Sequence, residues 1–264
     1  MKLTNEDVIA GLRPVNTLWN RIFLDPVSAK VGIWTANNTG LLPLQITLIS
    51  FGLSLISALM FLQGNPFFLV LGAVVFQLST LADSVDGLVA RIKPGSGSVL
   101  ALLADHILDP WRVILNVLGM IYGVYLKTGD ISVIFWATIF LCMHFMDWTL
   151  PKSIAKVRGA YKGLYEPKIT RTDKFLLALK EKFGKIKLKV VFAGTHEREL
   201  IVLFVGPVFG IVKPMLILGT VVTVVFFLFR LKFDTALVKN ELVAGTKEYL
   251  GDSENPWEAG KKQL

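Results

Sequence analysis

The sequence predicts an all-α integral membrane protein: six transmembrane helices preceded by an N-terminal interfacial amphipathic helix. Three observations predict it. Of the 264 residues, 53% are hydrophobic and 18% charged, with a mean hydropathy of +0.58, whereas a soluble chain carries about 25% charged residues. The apolar residues are gathered into runs near the roughly 20 residues that a helical span needs. Lys and Arg are dense in every second connection and sparse in the others. The chain divides into a cytoplasmic N-terminal segment (1–40), a six-helix transmembrane domain (41–232) with a long cytoplasmic loop (151–198), and a cytoplasmic tail (233–264). Its only cysteine, Cys142, lies in an apolar run, so no intrachain disulfide is possible.

The polar start, Met1–Asp7, has no cleavable signal pattern. Val8–Leu24 spaces Ile9, Leu12, Val15, Leu18, Trp19, Ile22 and Phe23 at helical intervals, broken by Pro14. Arg13, Asn16, Asn20 and Arg21 make it too polar to span. It reads as a helix lying on the membrane with Trp19 at headgroup depth; a soluble amphipathic helix packed on a partner is the alternative. Asp25-Pro26 and Asn37-Asn38-Thr39-Gly40 mark turns. The spans follow: Leu41–Leu62, Pro66–Arg91 after the reversal Gly64-Asn65-Pro66, Val99–Leu126, and Ile131–Leu150 after Thr128-Gly129-Asp130. A polar loop leads to a short fifth span, Glu199–Val212, and a sixth, Pro214–Leu231, parted by Lys213-Pro214. Gly119 and Gly123, four apart in the third span, permit close helix contact.

Charge sets the orientation. Four Lys/Arg fall in the first 40 residues, two (Arg91, Lys93) in the turn after span two, thirteen in Lys152–Arg198 and six from Arg230 onward. Only Arg112, Lys127 and Lys213 lie elsewhere. Six helices with both termini cytoplasmic satisfy this bias. Within the long loop, Thr172–Lys187 reads as a basic amphipathic helix, with Phe175, Leu179, Phe183 and Ile186 on one side and Thr172 as N-cap. It suits attraction to anionic membrane lipids, or expresses the positive-inside bias alone. No nucleic-acid-binding motif is present.

The stretch Asp83–Asp109 stands apart. Four carboxylates, Asp83, Asp86, Asp105 and Asp109, lie where spans two and three meet. An Asp costs roughly 2.5–3.5 kcal/mol at the centre of a membrane helix, so such residues are rarely idle. At 100° per residue, Asp83, Asp86, Gly87 and Ala90 share one helix face with Arg91 at its edge. Ala101, Asp105 and Asp109 form one stripe of the next helix. Pro94, Gly95 and Gly97 suit a turn between them. If the helices pair antiparallel, the acids converge and need a cation. Oxygen-only ligands favour Mg²⁺, with Mn²⁺ or Ca²⁺ as alternatives.

These residues resemble the signature of the CDP-alcohol phosphotransferase (CDP-alcohol phosphatidyltransferase) family, Asp-x2-Asp-Gly-x2-Ala-Arg, eight or nine residues, Gly-x3-Asp-x3-Asp. Seven of the eight fixed positions match: Asp83, Asp86, Gly87, Ala90, Arg91, Asp105 and Asp109; Ala101 stands where the family has Gly. The resemblance implies that residues 41–232 are the catalytic domain of a membrane transferase of phospholipid biosynthesis. It would move a phosphoalcohol, phosphatidyl-type, from a CDP-activated alcohol or lipid to an acceptor alcohol with release of CMP. It also implies Asp83, Asp86, Asp105 and Asp109 as ligands of two Mg²⁺ or Mn²⁺ ions, Asp109 as general base, and a homodimer. The CDP moiety would rest on Gly87, Ala90, Arg91, Ala101 and Thr47. Thr47 belongs to Leu42-Pro43-Leu44-Gln45-Ile46-Thr47, which resembles the family's Thr-Pro-Asn-x-x-Thr at Pro43 and Thr47 only. Ala101 and Leu44 are departures on the nucleotide side.

Relatives that use phosphorylated acceptors gather basic residues at the acceptor pocket. Arg112, one turn past Asp109, Arg198 at the start of span five and Arg230 at the end of span six are the candidates here; snorkelling to the interface is the alternative for the last two. Two other readings are weighed: transfer from a soluble CDP-alcohol to a lipid or polyol phosphate, and a cation transporter. A transporter would distribute its acids through the membrane depth, whereas these gather at one end.

Overall fold

The computed structural model describes residues 15–17, 19–93, 98–161, 189–191, 195–228 and 231. The chain before Val15, the centre of the turn after span two, the basic helix expected at Thr172–Lys187, Arg230 and the tail 233–264 lie outside them. Contacts group Met1–Phe145 with Lys189–Val224, and separately Met146–Leu188 with Val225–Leu264. Everything below concerns the first group unless stated.

The first departure from the expected helix comes at once. Val15–Thr17 is a strand, β1, paired parallel with Lys189–Val191, β2, with Asn16 opposite Val190. Two β-branched residues and an Asn follow Pro14, a poor start for a helix and a fair one for a strand. The backbone turns helical only at Trp19, whose N–H donates to Glu197 Oε1 at 3.2 Å. A π-helical turn, Asn20–Leu24, runs straight into α1, Asp25–Asn38. The turn expected at Asp25-Pro26 is absent. Pro26 sits in the first turn of α1, directly after the π turn, where Asp25 N–H bonds back to the Asn20 carbonyl. α1 packs Ala29, Ile33 and Ala36 against Leu88 and Ile92. Its opposite stripe, Phe23, Val27, Val31 and Trp34, is exposed. The helix near the N-terminus begins later than Val8–Leu24, and its apolar residues lie on both faces, so the structure does not reproduce the expected amphipathic helix.

Among the described residues, four helices are long and apolar enough to cross a membrane: Pro43–Leu62, Pro66–Ile92, Val99–Thr128 and Ser132–Leu150. The first three are α2, α3 and α4; the fourth belongs to α5, Ser132–Tyr161, whose backbone continues past Leu150. Each start has a local cause. Pro43 opens α2 while Gln45 Oε1 accepts from Leu42 N–H at 2.9 Å. Asn65 caps α3 by accepting from Phe68 N–H at 3.0 Å, and Ser98 caps α4 by accepting from Ala101 N–H at 3.0 Å. Gly129, at φ 68°, ends α4. In the turn that follows, Asp130 pairs with Lys213 at 2.7 Å and accepts from Ser132; these contacts hold its carboxyl down at about 2.

The expected fifth span is a helical run displaced toward the N-terminus: α6, Thr195–Leu200, a π turn, Ile201–Val205, and a last turn, Gly206–Val208. It ends at Gly210, φ 67°, with Ile211 N–H bonded to the Gly206 carbonyl at 2.9 Å. The break thus falls before Lys213-Pro214. The next helix, α7, Val212–Leu228, carries Pro214 in its first turn, where the missing N–H costs nothing.

The helices enclose one apolar core, in which Phe61, Phe76, Val117, Met120, Phe140, Leu203 and Leu216 meet. Small and hydroxyl residues bring α2, α3 and α4 close. Ser50 and Ser79 donate to each other's carbonyl oxygens at 2.9 Å, and Ser57 donates to the Gly72 carbonyl at 2.7 Å. Asn116 Nδ2 reaches Ser54 Oγ at 2.7 Å. A methyl on Gly119 would strike the Ala58 carbonyl, and one on Gly123 the Phe61 carbonyl. The close contact read from these two glycines is therefore made inside the chain, between α2 and α4, and offers no support for a homodimer.

Candidate metal and active site

The length of α3 and α4 decides where the acids sit. At 27 and 30 residues they are about 40–45 Å long, against about 30 Å of hydrocarbon. Asp83 and Asp86 lie in the last ten residues of α3 and Asp105 and Asp109 in the first eleven of α4. All four therefore come to one end of the helix pair. A proline inside α4, Pro110, follows directly on Asp109 and removes one backbone bond at this level.

Carboxylate oxygens of Asp83, Asp86 and Asp105 lie within 4.8 Å of one another. Ligand oxygens around a divalent ion, each about 2.0–2.6 Å from it, are spaced on that scale. The three residues fit a hard divalent cation. Asp86 is the most enclosed, at 4% exposure. Thr47 Oγ1, on α2, donates to Asp86 Oδ2 at 2.6 Å while lying 3.0 Å from the Pro43 carbonyl.

Asp109 is not one of the three but lies next to Asp83, and Arg112 meets both. Arg112 Nη1 is 2.6 Å from Asp83 Oδ1 and 3.4 Å from Asp109 Oδ1, and Nη2 donates to Thr80 Oγ1 at 3.3 Å. Arg112 is buried, and its guanidinium faces the carboxylates. It was expected among acceptor-binding residues; its contacts are with the acids. Thr47, expected at the nucleotide, donates to Asp86. Gly87 and Ala90 are half-buried, Arg91 is exposed at the end of α3, and Ala101 is buried in the first turn of α4.

Arg198, on α6, is completely buried, which is not the behaviour of a side chain snorkelling to water. Beside it is a group that sequence reasoning passed over. Glu199 has Oε2 at 3.3 Å from His196 Nδ1 and Oε1 at 3.6 Å from His144 Nε2. Glu199 and His144 are both buried, and the His144 ring lies 5.5 Å from that of Phe140. A histidine within an apolar run was the available signal for His144. Thr80, on the Asp83 face one turn earlier, could be found by helical spacing alone.

No protein-family model matches the chain, and no curated protein does. Among solved structures it is similar to the crystal structure of phosphatidylinositol phosphate synthase (PgsA1) from Mycobacterium tuberculosis with CDP-DAG bound. The TM-score is 0.54 at 20% sequence identity, over 79% of this chain and 94% of that one. The likeness is one of fold.

Proposed function

We propose that the protein is a membrane transferase that moves a phosphatidyl-type group from a CDP-activated lipid to the hydroxyl of a small alcohol, releasing CMP. The observation that carries this reading is the convergence of Asp83, Asp86 and Asp105 within 4.8 Å, with Asp109 alongside, at the spacing that resembles the CDP-alcohol phosphotransferase signature. Supporting it, the fold is similar to that of a synthase solved with CDP-DAG bound.

The chemistry follows from the charges. A divalent ion held by Asp83, Asp86 and Asp105 would neutralise the diphosphate and ease departure of CMP. A second ion would draw on Asp109. Asp109 accepts the proton of the acceptor hydroxyl. The acceptor oxygen then bonds to the phosphorus that carries the alcohol, the bond from that phosphorus to the bridging oxygen breaks, and CMP leaves with the electron pair. Gly87 and Ala90, with no bulk beyond Cβ, leave room for a nucleotide against α3. Arg91, exposed beside them, is placed for a phosphate. The buried first turn at Ala101 has one methyl more than the resembling signature, which tightens the same face. Arg198, His144, His196 and Glu199 are left for the acceptor side. The active end and both termini are assigned to the cytoplasmic side.

The test offers radiolabelled CDP-diacylglycerol and Mg²⁺ with inositol phosphate, glycerol phosphate, serine and inositol in turn. One acceptor should give a labelled lipid with stoichiometric CMP, and the Asp109→Asn variant should give none while still binding nucleotide. Lipid product from no acceptor would transfer the reading to a soluble CDP-alcohol donor. Near-normal turnover by Asp109→Asn would remove Asp109 as the base.

A further inference from the structure

Four carboxylates carried by α3 and α4, which both pack against α2, repel one another unless a cation lies among them. A divalent ion dissociates; the helices must stay packed when it does. Arg112 is the cation already in place. It is 5% exposed, and it reaches α3 twice: through Nη1 to Asp83 Oδ1 at 2.6 Å and through Nη2 to Thr80 Oγ1 at 3.3 Å. The same Nη1 lies 3.4 Å from Asp109 Oδ1 on its own helix. Its backbone is also held, since its carbonyl accepts from Asn116 Nδ2 at 2.7 Å. The guanidinium thus pairs with Asp83 by charge and gives its hydrogen bonds to Asp109 and Thr80. Asp83 is common to this ion pair and to the three-carboxylate site, so the two cations draw on the same carboxylate.

We propose that Arg112 is the resident counter-cation of the aspartate site. It pins Asp83 and Asp109 while no metal is bound and competes with an incoming divalent ion for Asp83. It is a positioning residue, acting through Asp83 and Asp109. The inference rests on reading Asp83, Asp86 and Asp105 as a divalent-ion site. Linkage then requires each cation to weaken the other's hold on Asp83.

Mn²⁺ is the probe. Free Mn²⁺ is measured by electron paramagnetic resonance during titration of the full chain in detergent, and thermal unfolding is followed with EDTA and with saturating Mn²⁺. Arg112→Gln should bind Mn²⁺ roughly tenfold more tightly than wild type, because the competitor is gone. It should also melt lower in EDTA and regain more of its stability on adding Mn²⁺. Arg112→Lys should fall between the two. A Gln variant with wild-type Mn²⁺ affinity and wild-type melting in EDTA overturns the proposal, as does a raised acceptor KM with unchanged Mn²⁺ affinity. If the Gln variant yields no folded protein at any Mn²⁺ concentration, the Lys variant decides: tighter Mn²⁺ binding supports the proposal and wild-type affinity overturns it. Wild-type protein that binds no Mn²⁺ removes the metal-site reading itself.

Discussion

A carboxylate proposed to bind a metal has lone pairs to spare, and what holds them fixes where the ligand oxygen points. At Asp86 that partner is Thr47, whose hydroxyl is 2.6 Å from Oδ2. Thr47→Val keeps the shape and removes the hydroxyl. It should weaken Mn²⁺ binding about 10–100-fold, the usual cost of losing such a support, and Thr47→Ser should restore it. Loss of nucleotide affinity at unchanged Mn²⁺ affinity would instead place Thr47 at the nucleotide. This residue also marks the limit of what the sequence discloses. The meeting of Asp83, Asp86 and Asp105 was legible because spacing within two adjacent helices fixes which of them share a face. The partner of Thr47 was not legible, since helical spacing says nothing about which residue of a neighbouring helix it will meet. Arg112, His144 and Glu199 pose the same difficulty: an intramembrane charge announces itself, and its partner does not.

Between elements, the closest approaches are made by glycine. Gly123 lies against the Phe61 and Leu62 carbonyls, and Gly64, at φ 67°, lies against Gly123 itself. A methyl at Gly123 meets backbone, which cannot rotate out of the way. Gly123→Ala should therefore lower stability by about 1–3 kcal/mol, the range for overpacking, and reduce the yield of folded chain in detergent. Gly40→Ala and Gly52→Ala, where a methyl meets open space, are the controls. Melting of Gly123→Ala at the wild-type temperature would mean that α2 and α4 are further apart. The starts of α2, α3 and α4 could be read from Pro43, from Asn65-Pro66 and from Ser98 because capping is local chemistry. Pro26 misled because a helix accepts proline in its first turn, and β1 was hidden because its partner strand is far away in the chain. Gly210 was a visible signal for the turn before α7; Lys213-Pro214 looked stronger only because proline is equally at home in a helix's first turn.

For the whole molecule, the apolar composition and the long runs made a membrane protein legible, and four helices of spanning length answer to four of the six runs expected. The fifth, Thr195–Val208, is shorter than a span, and the sixth is described from Val212 to Leu228. Orientation is a separate question, argued from charge alone. With Lys and Arg dense at the α3–α4 connection's end and sparse at the α4–α5 turn, the aspartates should face the cytoplasm. Two exposed positions bracket α4: Val99 at its start, 85% exposed, and Ile131 beyond its end, 71% exposed. In a Cys142→Ser background, Val99→Cys and Ile131→Cys give one thiol each. A membrane-impermeant maleimide should label the Val99→Cys variant only in inverted vesicles and the Ile131→Cys variant only in right-side-out ones. The reverse pattern would put the site outside, away from cytosolic CDP-activated substrates. Labelling of both from one side would mean that α4 does not cross the membrane. A 30-residue α4 that crosses keeps about 20 residues in the hydrocarbon and carries its first two turns beyond it, and the expected pattern alone sets those turns, with Asp105, on the side where cytosolic substrates could reach them.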